Sequence, residues 1–133
     1  MESEGSTSKN SKAMTIAGWV IGGLPALMMV ATSPMAILKL PQAVEGMKTY
    51  GYPDSSMMPL GIAELISGIL YLVPQTSVLG AILITGYLGG ATATHVRAGE
   101  ANFFVPIVMG VLFWAGLWLR FPTLRSILPI KKK

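Results

Sequence analysis

Cysteine is missing from this sequence altogether, which excludes disulfides, thiolate metal sites and thiol catalysis. Charge is nearly as scarce: acidic and basic residues make up 12% of the chain, about half the soluble average of ~25%. There is a single histidine, His95, and the scattered carboxylates have no metal-ligand spacing around it, so no metal site is assigned. Neither a phosphate-binding loop nor a Ser-His-Asp set can be assembled, and no catalytic residue is named. What the sequence has in quantity is hydrophobic side chains, 52% of 133 residues. They fall in long runs, which a water-soluble amphipathic pattern would not produce. The bilayer is the solvent that such a composition implies.

The net charge of +4 does not point to nucleic acid. The basic residues lie mostly at the two ends, beside apolar segments, where charge sets topology and meets anionic lipid. The opening "MESEGSTSKNSK" is polar and Ser-rich. A signal peptide would carry its basic and apolar regions earlier, so residues 1–14 are expected to be a disordered polar tail. Residues 15–120 then form the membrane domain and 121–133 a basic C-terminal tail.

Four spans are expected. Ala13 to Leu38 holds no acidic or basic residue and exceeds the ~20 residues needed to cross a bilayer, with a bend near Gly22, Gly23 and Pro25. The run from Ser55 to Val96 is interrupted only at "PQTS", residues 74–77, where Pro74 ends a helix. It gives spans two and three, about Met57–Val73 and Val78–Val96, and span four runs from about Asn102 to Leu119. Between spans one and two, Ala43, Val44, Met47 and Tyr50 recur at helical spacing with Glu45 and Lys48 off the stripe. Pro41 suits the first turn and Gly51 the stop, so a short helix lying on the membrane surface is expected. The fold class is an all-α membrane protein, a four-transmembrane-helix bundle with that interfacial helix. Four spans put both termini on one side. That side carries Lys9, Lys12, Arg120, Arg125 and Lys131 to Lys133, against Lys39, Lys48 and Arg97 on the other. The positive-inside rule places both termini in the cytoplasm.

Glu64 is the sharpest polar signal. An acidic side chain within a span costs at least ~2.5 kcal/mol on insertion scales, so it faces the bundle interior and has a partner. Gly61, Glu64, Ser67, Gly68 and Tyr71 form a small and polar stripe, opposite Ile62, Ile66, Ile69 and Val73. Counted from the hairpin at 1.5 Å per residue, Glu64 lies ~14 Å deep. That level falls near Tyr87 on span three, around Gly22 to Pro25 on span one, and near Gly110 on span four. Tyr87 is therefore the expected hydrogen-bond donor, with Gly86 and Gly90 as a small-residue packing motif and Gly18 and Gly22 as a second instance. His95 lies ~12 Å further out, so the two ionisable residues are not expected to touch. At its own level are Lys39 and an outer-mouth polar cluster of Arg97, Glu100 and Asn102. A buried structural hydrogen bond at Glu64 and an interfacial cap at His95 are the plainer readings of these positions.

The stretches "LKL" (38–40), "VEGMKTYGYP" (44–53), "GIAELISGILYLVP" (61–74) and "GGATATHVRAGE" (89–100) together resemble the DoxX-like family of small bacterial four-helix membrane proteins. The matching elements are Lys39 ending span one, Gly51-Tyr52-Pro53, Gly61 to Leu65, and Ala91, His95, Gly99 and Glu100 at the end of span three. The resemblance covers about residues 15 to 120. It implies a bacterial cytoplasmic membrane location. It also implies a link to redox partners, since the family is named from a subunit of a membrane thiosulfate:quinone oxidoreductase. That subunit works with a second one, so enzyme activity does not carry over to this chain alone.

Three functions follow. The first is an accessory subunit of a membrane redox complex that binds a quinone-like or small apolar ligand near Glu64, Tyr87, His95 and Lys39; a redox-enzyme partner subunit and a homo-oligomer are its expected company. The second is a structural or assembly protein without a ligand. The third is a small proton-coupled transporter, although compact exporters of that kind carry their glutamate in the first span.

Overall fold

The computed structural model describes residues 10–131. The tail at residues 1–9, with Lys9, and the final Lys132 and Lys133 lie outside the described residues. Four helices are long and apolar enough to cross a membrane: α1 (Lys12–Ile37), α3 (Asp54–Leu72), α4 (Pro74–Arg97) and α5 (Ala101–Arg120). A short helix α2 (Pro41–Thr49) follows α1, and a single turn α6 (Pro122–Arg125) follows α5. Among the described residues there is no strand.

Local chemistry sets each boundary. The hydroxyl of Ser11 caps α1 by accepting from the Met14 N–H at 3.1 Å, which satisfies one orphan donor of the first turn. The bend expected in span one is a single π turn at Trp19–Gly23, placed just before Pro25, whose missing N–H and ring disturb the regular ladder. Pro41 occupies the first turn of α2. Gly51 ends that segment at φ +84, a left-handed conformation that glycine adopts without steric cost. Ala43, Val44 and Met47 are half-buried and Glu45 and Lys48 exposed, so α2 turns its apolar stripe inward. Pro74 opens the one-turn connection between α3 and α4.

The α3–α4 and α4–α5 connections are short, so those helices run antiparallel, and α1 and α3 pair antiparallel across the α2 segment, with Gly22 against Tyr71 and Gly61 against Ile37. The helices close a ring in which α1 packs on α3, α3 on α4, α4 on α5, and α5 on the first half of α1. The core lies toward the end that carries the termini, around Ala26, Tyr71, Ala81, Ile84, Phe113 and Leu117, each wholly buried. Tyr71 organises it: its hydroxyl donates to the Phe113 carbonyl at 2.6 Å and its ring meets Phe113 edge-on at 5.1 Å.

Close helix approach occurs between α1 and α5. A Cβ built on Gly116 would lie 2.8 Å from the Gly18 carbonyl oxygen and from Gly22 Cα, so the Gly18–Gly22 motif does meet a partner backbone. The other motif does not. Nothing lies within 4 Å of a Cβ built on Gly86 or Gly90. The expected packing role of that pair is thus corrected: the face it occupies looks into open space beneath α2.

Arg120 also departs from its expected place. Counted in the sequence as a topological charge, it is only 6% exposed. Its guanidinium stacks 3.5 Å above the Trp19 ring and donates to Ser77 Oγ at 2.9 Å, joining α1, α4 and α5.

Candidate functional site

The stripe expected on span two is present: Gly61, Ser67, Gly68 and Tyr71 are buried, Glu64 is half-buried, and Ile62, Ile66 and Ile69 point outward. Helical spacing therefore aims Glu64 into the bundle. The Thr32 hydroxyl on α1 lies 3.0 Å from the Glu64 carboxylate and 2.9 Å from the Met28 carbonyl of its own helix, and its single proton is shared between them. Tyr87 on α4 is the second polar residue on this side of Glu64. The depth count placed Tyr87 at this level but missed Thr32, about two turns beyond Pro25. The reason is that the first turns of α1 run past the α3–α4 connection and pack on the end of α5, where Gly18 meets Arg120. Equal counting from the helix ends therefore misplaces α1 alone.

The second polar group lies at the opposite end of α4. His95 Nδ1 and Glu100 Oε1 are 2.5 Å apart, and Tyr50 donates to the same oxygen at 2.8 Å. With both donors directed at Glu100, the imidazole carries a proton on Nδ1. These two donors hold the Glu100 carboxyl below its ordinary range, the histidine contributing first. Donation to that carboxylate raises the Tyr50 hydroxyl above its own ordinary value, burial adding to it. Arg97 donates to the Tyr50 carbonyl at 2.5 Å and so braces the segment after α2. Tyr52 bonds Thr94 at 2.7 Å. Because the Thr94 hydroxyl donates to the Gly90 carbonyl, Tyr52 is the donor in that contact.

A cavity of about 280 Å³ runs along α4 between Tyr87 and His95. Its walls include Met47, Tyr50 and Tyr52 from the α2 segment, Leu60 on α3, and Tyr87 and His95 on α4, with the bare backbone of Gly86 and Gly90 forming part of the floor. The volume is just below the ~300–1,000 Å³ of ordinary small-molecule pockets. Apolar walls with a few converging hydroxyl and imidazole groups are the usual make-up of such sites.

Of the residues singled out in the sequence, Tyr87 and His95 line this cavity, Glu64 does not, and Glu100 fixes His95. Glu64 and His95 do not share a hydrogen bond; each has partners of its own. Lys39 is exposed in the turn between α1 and α2 at φ 52, and Asn102 is exposed at the start of α5; neither joins the cluster. Tyr50, Tyr52 and Thr32 were not picked out. Tyr50 was visible only as part of the α2 apolar stripe, and Tyr52 only as part of Gly-Tyr-Pro. A threonine in an apolar span bonds its own backbone by default, and the Met28 carbonyl stands 2.9 Å from Thr32 Oγ1, so nothing marked it. Among the described residues no group of His, Asp and Glu is arranged to hold a metal ion.

No curated protein and no solved structure matches the chain. A comparison with protein families does match, over residues 20–116, a range that contains Glu64, Tyr87, the whole His95 cluster and all four spanning helices in large part. With its four apolar helices and that match, the chain belongs to the DoxX-like family of integral membrane proteins.

Proposed function

We propose that this protein is an accessory subunit of a membrane redox complex and that it binds a quinone-like ligand, small and largely apolar with oxygen acceptors, in the 280 Å³ cavity. The observation that carries the reading is the cavity itself, which places Tyr87 and His95 on one wall although they are two turns apart on α4. A quinone head group needs hydrogen-bond donors and a route for protons. Tyr87 supplies the inner donor when its single hydroxyl proton turns to the ligand, and His95, held through Nδ1 by Glu100, supplies the outer one when Nε2 is also protonated. With no cysteine in the chain, the electrons would come from a partner subunit. The ligand's ring would lie against Met47 and Leu60 and its oxygens toward Tyr87 and His95.

The same reading places the protein in a bacterial cytoplasmic membrane with both termini inside, and α2 at the outer surface as the roof of the cavity. The charge distribution supports the orientation, and the inward apolar stripe of α2 supports its place at the interface.

The test is titration of the purified protein with a short-tailed benzoquinone, in parallel with His95→Ala, Tyr87→Phe and Glu64→Gln. Weaker binding is expected in all three, with the melting temperature retained in the first two. Unchanged binding in both His95→Ala and Tyr87→Phe would sink the site. The contact of Thr32 with Glu64 favours a second reading, in which the half-buried carboxylate only fixes helix register. Under that reading Glu64→Gln lowers thermal stability while quinone binding is absent from every form, wild type included.

A further inference from the structure

A second and larger concavity lies on a neighbouring face of α4. Between α4 and α5 runs a groove of about 910 Å³, bordered by Thr85 and Gly89 on one side and by Gly110, Val111, Trp114 and Trp118 on the other. Its polar groups are already engaged. Trp114 donates its indole N–H to Thr85 Oγ1 at 2.7 Å, Thr85 donates to the Ala81 carbonyl, and Thr92 donates to Leu88. A side chain built on Gly89 would meet nothing within 4 Å, so the slot is open at its middle. Along α5 it runs from Pro106 to Leu119, about 20 Å at 1.5 Å per residue. That is more than one leaflet's share of a ~30 Å hydrocarbon core.

One end of the groove has a distinct chemistry. Trp118 donates to the Leu128 carbonyl at 3.0 Å, which sets Leu128 and Pro129 on the rim. Arg125 donates to the Trp118 carbonyl at 2.8 Å and faces the Trp118 ring at 5.5 Å. A guanidinium carries five N–H donors; Arg125 also donates to the Leu119 carbonyl and to Asn10 Oδ1, and among the described residues its Nε and one Nη2 hydrogen have no acceptor. Lys131 follows, and in sequence so do Lys132 and Lys133. Among the described residues no carboxylate stands at this end. Glu45, Asp54 and Glu100 belong to the opposite end, and Glu64 to the interior. An apolar slot one leaflet deep with a cationic rim is complementary to a lipid with an anionic head group. We infer that the groove holds an acyl chain of an anionic phospholipid, with its phosphate at Arg125 and Lys131. A second copy of the chain fits less well. A two-fold pairing of grooves would bring the two cationic rims together, and like charges at close range repel.

The experiment uses the full chain reconstituted in phosphatidylcholine vesicles doped with lipid brominated on its acyl chains, carrying either a phosphatidylglycerol or a phosphatidylcholine head group. Bromine quenches adjacent indoles, and Trp114 and Trp118 line the groove. Brominated phosphatidylglycerol is expected to quench at a several-fold lower mole fraction than brominated phosphatidylcholine. Arg125→Gln and Lys131→Ala together should erase that advantage without changing quenching by the neutral lipid. Gly89→Leu, which fills the slot, should weaken quenching by both. Val111→Phe, at a position 62% exposed, is measured beside it so that a folding defect in one variant does not decide the outcome. Equal quenching by the two head groups in the wild type would overturn the inference. So would full quenching in both slot-filling variants. If neither lipid quenches and Gly89→Leu dissociates a cross-linkable dimer, a second copy occupies the groove and the lipid reading fails.

Discussion

A carboxylate at mid-span must find its donors inside the bundle, because the surrounding hydrocarbon offers none. Glu64 finds one in Thr32 at 3.0 Å and a second neighbour in Tyr87. Thr32→Val should therefore destabilise the protein by ~0.6–1.7 kcal/mol, the range measured for interhelical hydrogen bonds in membranes. Thr32→Ser should not, and unfolding in mixed detergent micelles would separate the two. At the other end the sign of a pH effect can be worked out. The folded state holds the Glu100 carboxyl below its ordinary range, so the unfolded chain binds the proton more readily. Its contribution to stability is then present above the ordinary glutamate pKa of about 4.3 and is lost as the pH falls through the folded value. The melting temperature in detergent should drop on acidification below about pH 4.5, and the drop should be smaller in Glu100→Gln. Arg120 illustrates what residue counting misses. Beside the basic tail it reads as one more surface charge, yet its planar group lies on Trp19 and its Nη2 on Ser77. Lysine keeps the charge but loses the stack and the fork, so Arg120→Lys should cost about 1–2 kcal/mol with topology unchanged.

Helices carry the next part of the account. The small-x-x-x-small pattern occurs at Gly18–Gly22 and at Gly86–Gly90, and sequence alone cannot say which pair meets a neighbour. Only the first pair does, against Gly116. Gly116→Leu should therefore separate α1 from α5 and lower stability severely, whereas Gly86→Ala should melt like the wild type. Thermal unfolding of the two variants under one detergent condition decides the matter. The stripe on α3 was legible because it needs nothing beyond 3.6-residue periodicity. The level of Tyr87 was legible because a tight connection at Pro74–Thr76 ties the registers of α3 and α4. Thr32 was not, since no tight turn relates α1 to α3 and the extension of α1 past that connection has no sequence mark. The cavity was not legible either. It arises where the α2 segment is held over α4 by Tyr50, Tyr52 and Arg97, three long-range contacts.

For the molecule as a whole, the number and order of the spans were readable from long uncharged runs, and the four helices in the structure begin and end within a few residues of the expected limits. An even number of spans puts Ser11 and Ser126 on one side and Asp54 on the other. The absence of cysteine makes this a clean test. Single cysteines at these three positions, probed with a membrane-impermeant thiol reagent on intact cells and on inverted vesicles, should react as two and one. Reaction of Ser11→Cys and Ser126→Cys from opposite sides would contradict the four-span fold. The clustering of basic residues has a further consequence once a membrane is energised. Among the described residues, Lys12, Arg120, Arg125 and Lys131 stand at one end without an acidic neighbour, while at the other Lys39, Lys48 and Arg97 are matched by Glu45, Asp54 and Glu100. Moving one elementary charge against 100 mV takes about 2.3 kcal/mol, so inverting a molecule with four net charges at one end would take roughly 9 kcal/mol. With that end inside, as proposed, the membrane potential favours this orientation over the inverted one by that amount for the described charges.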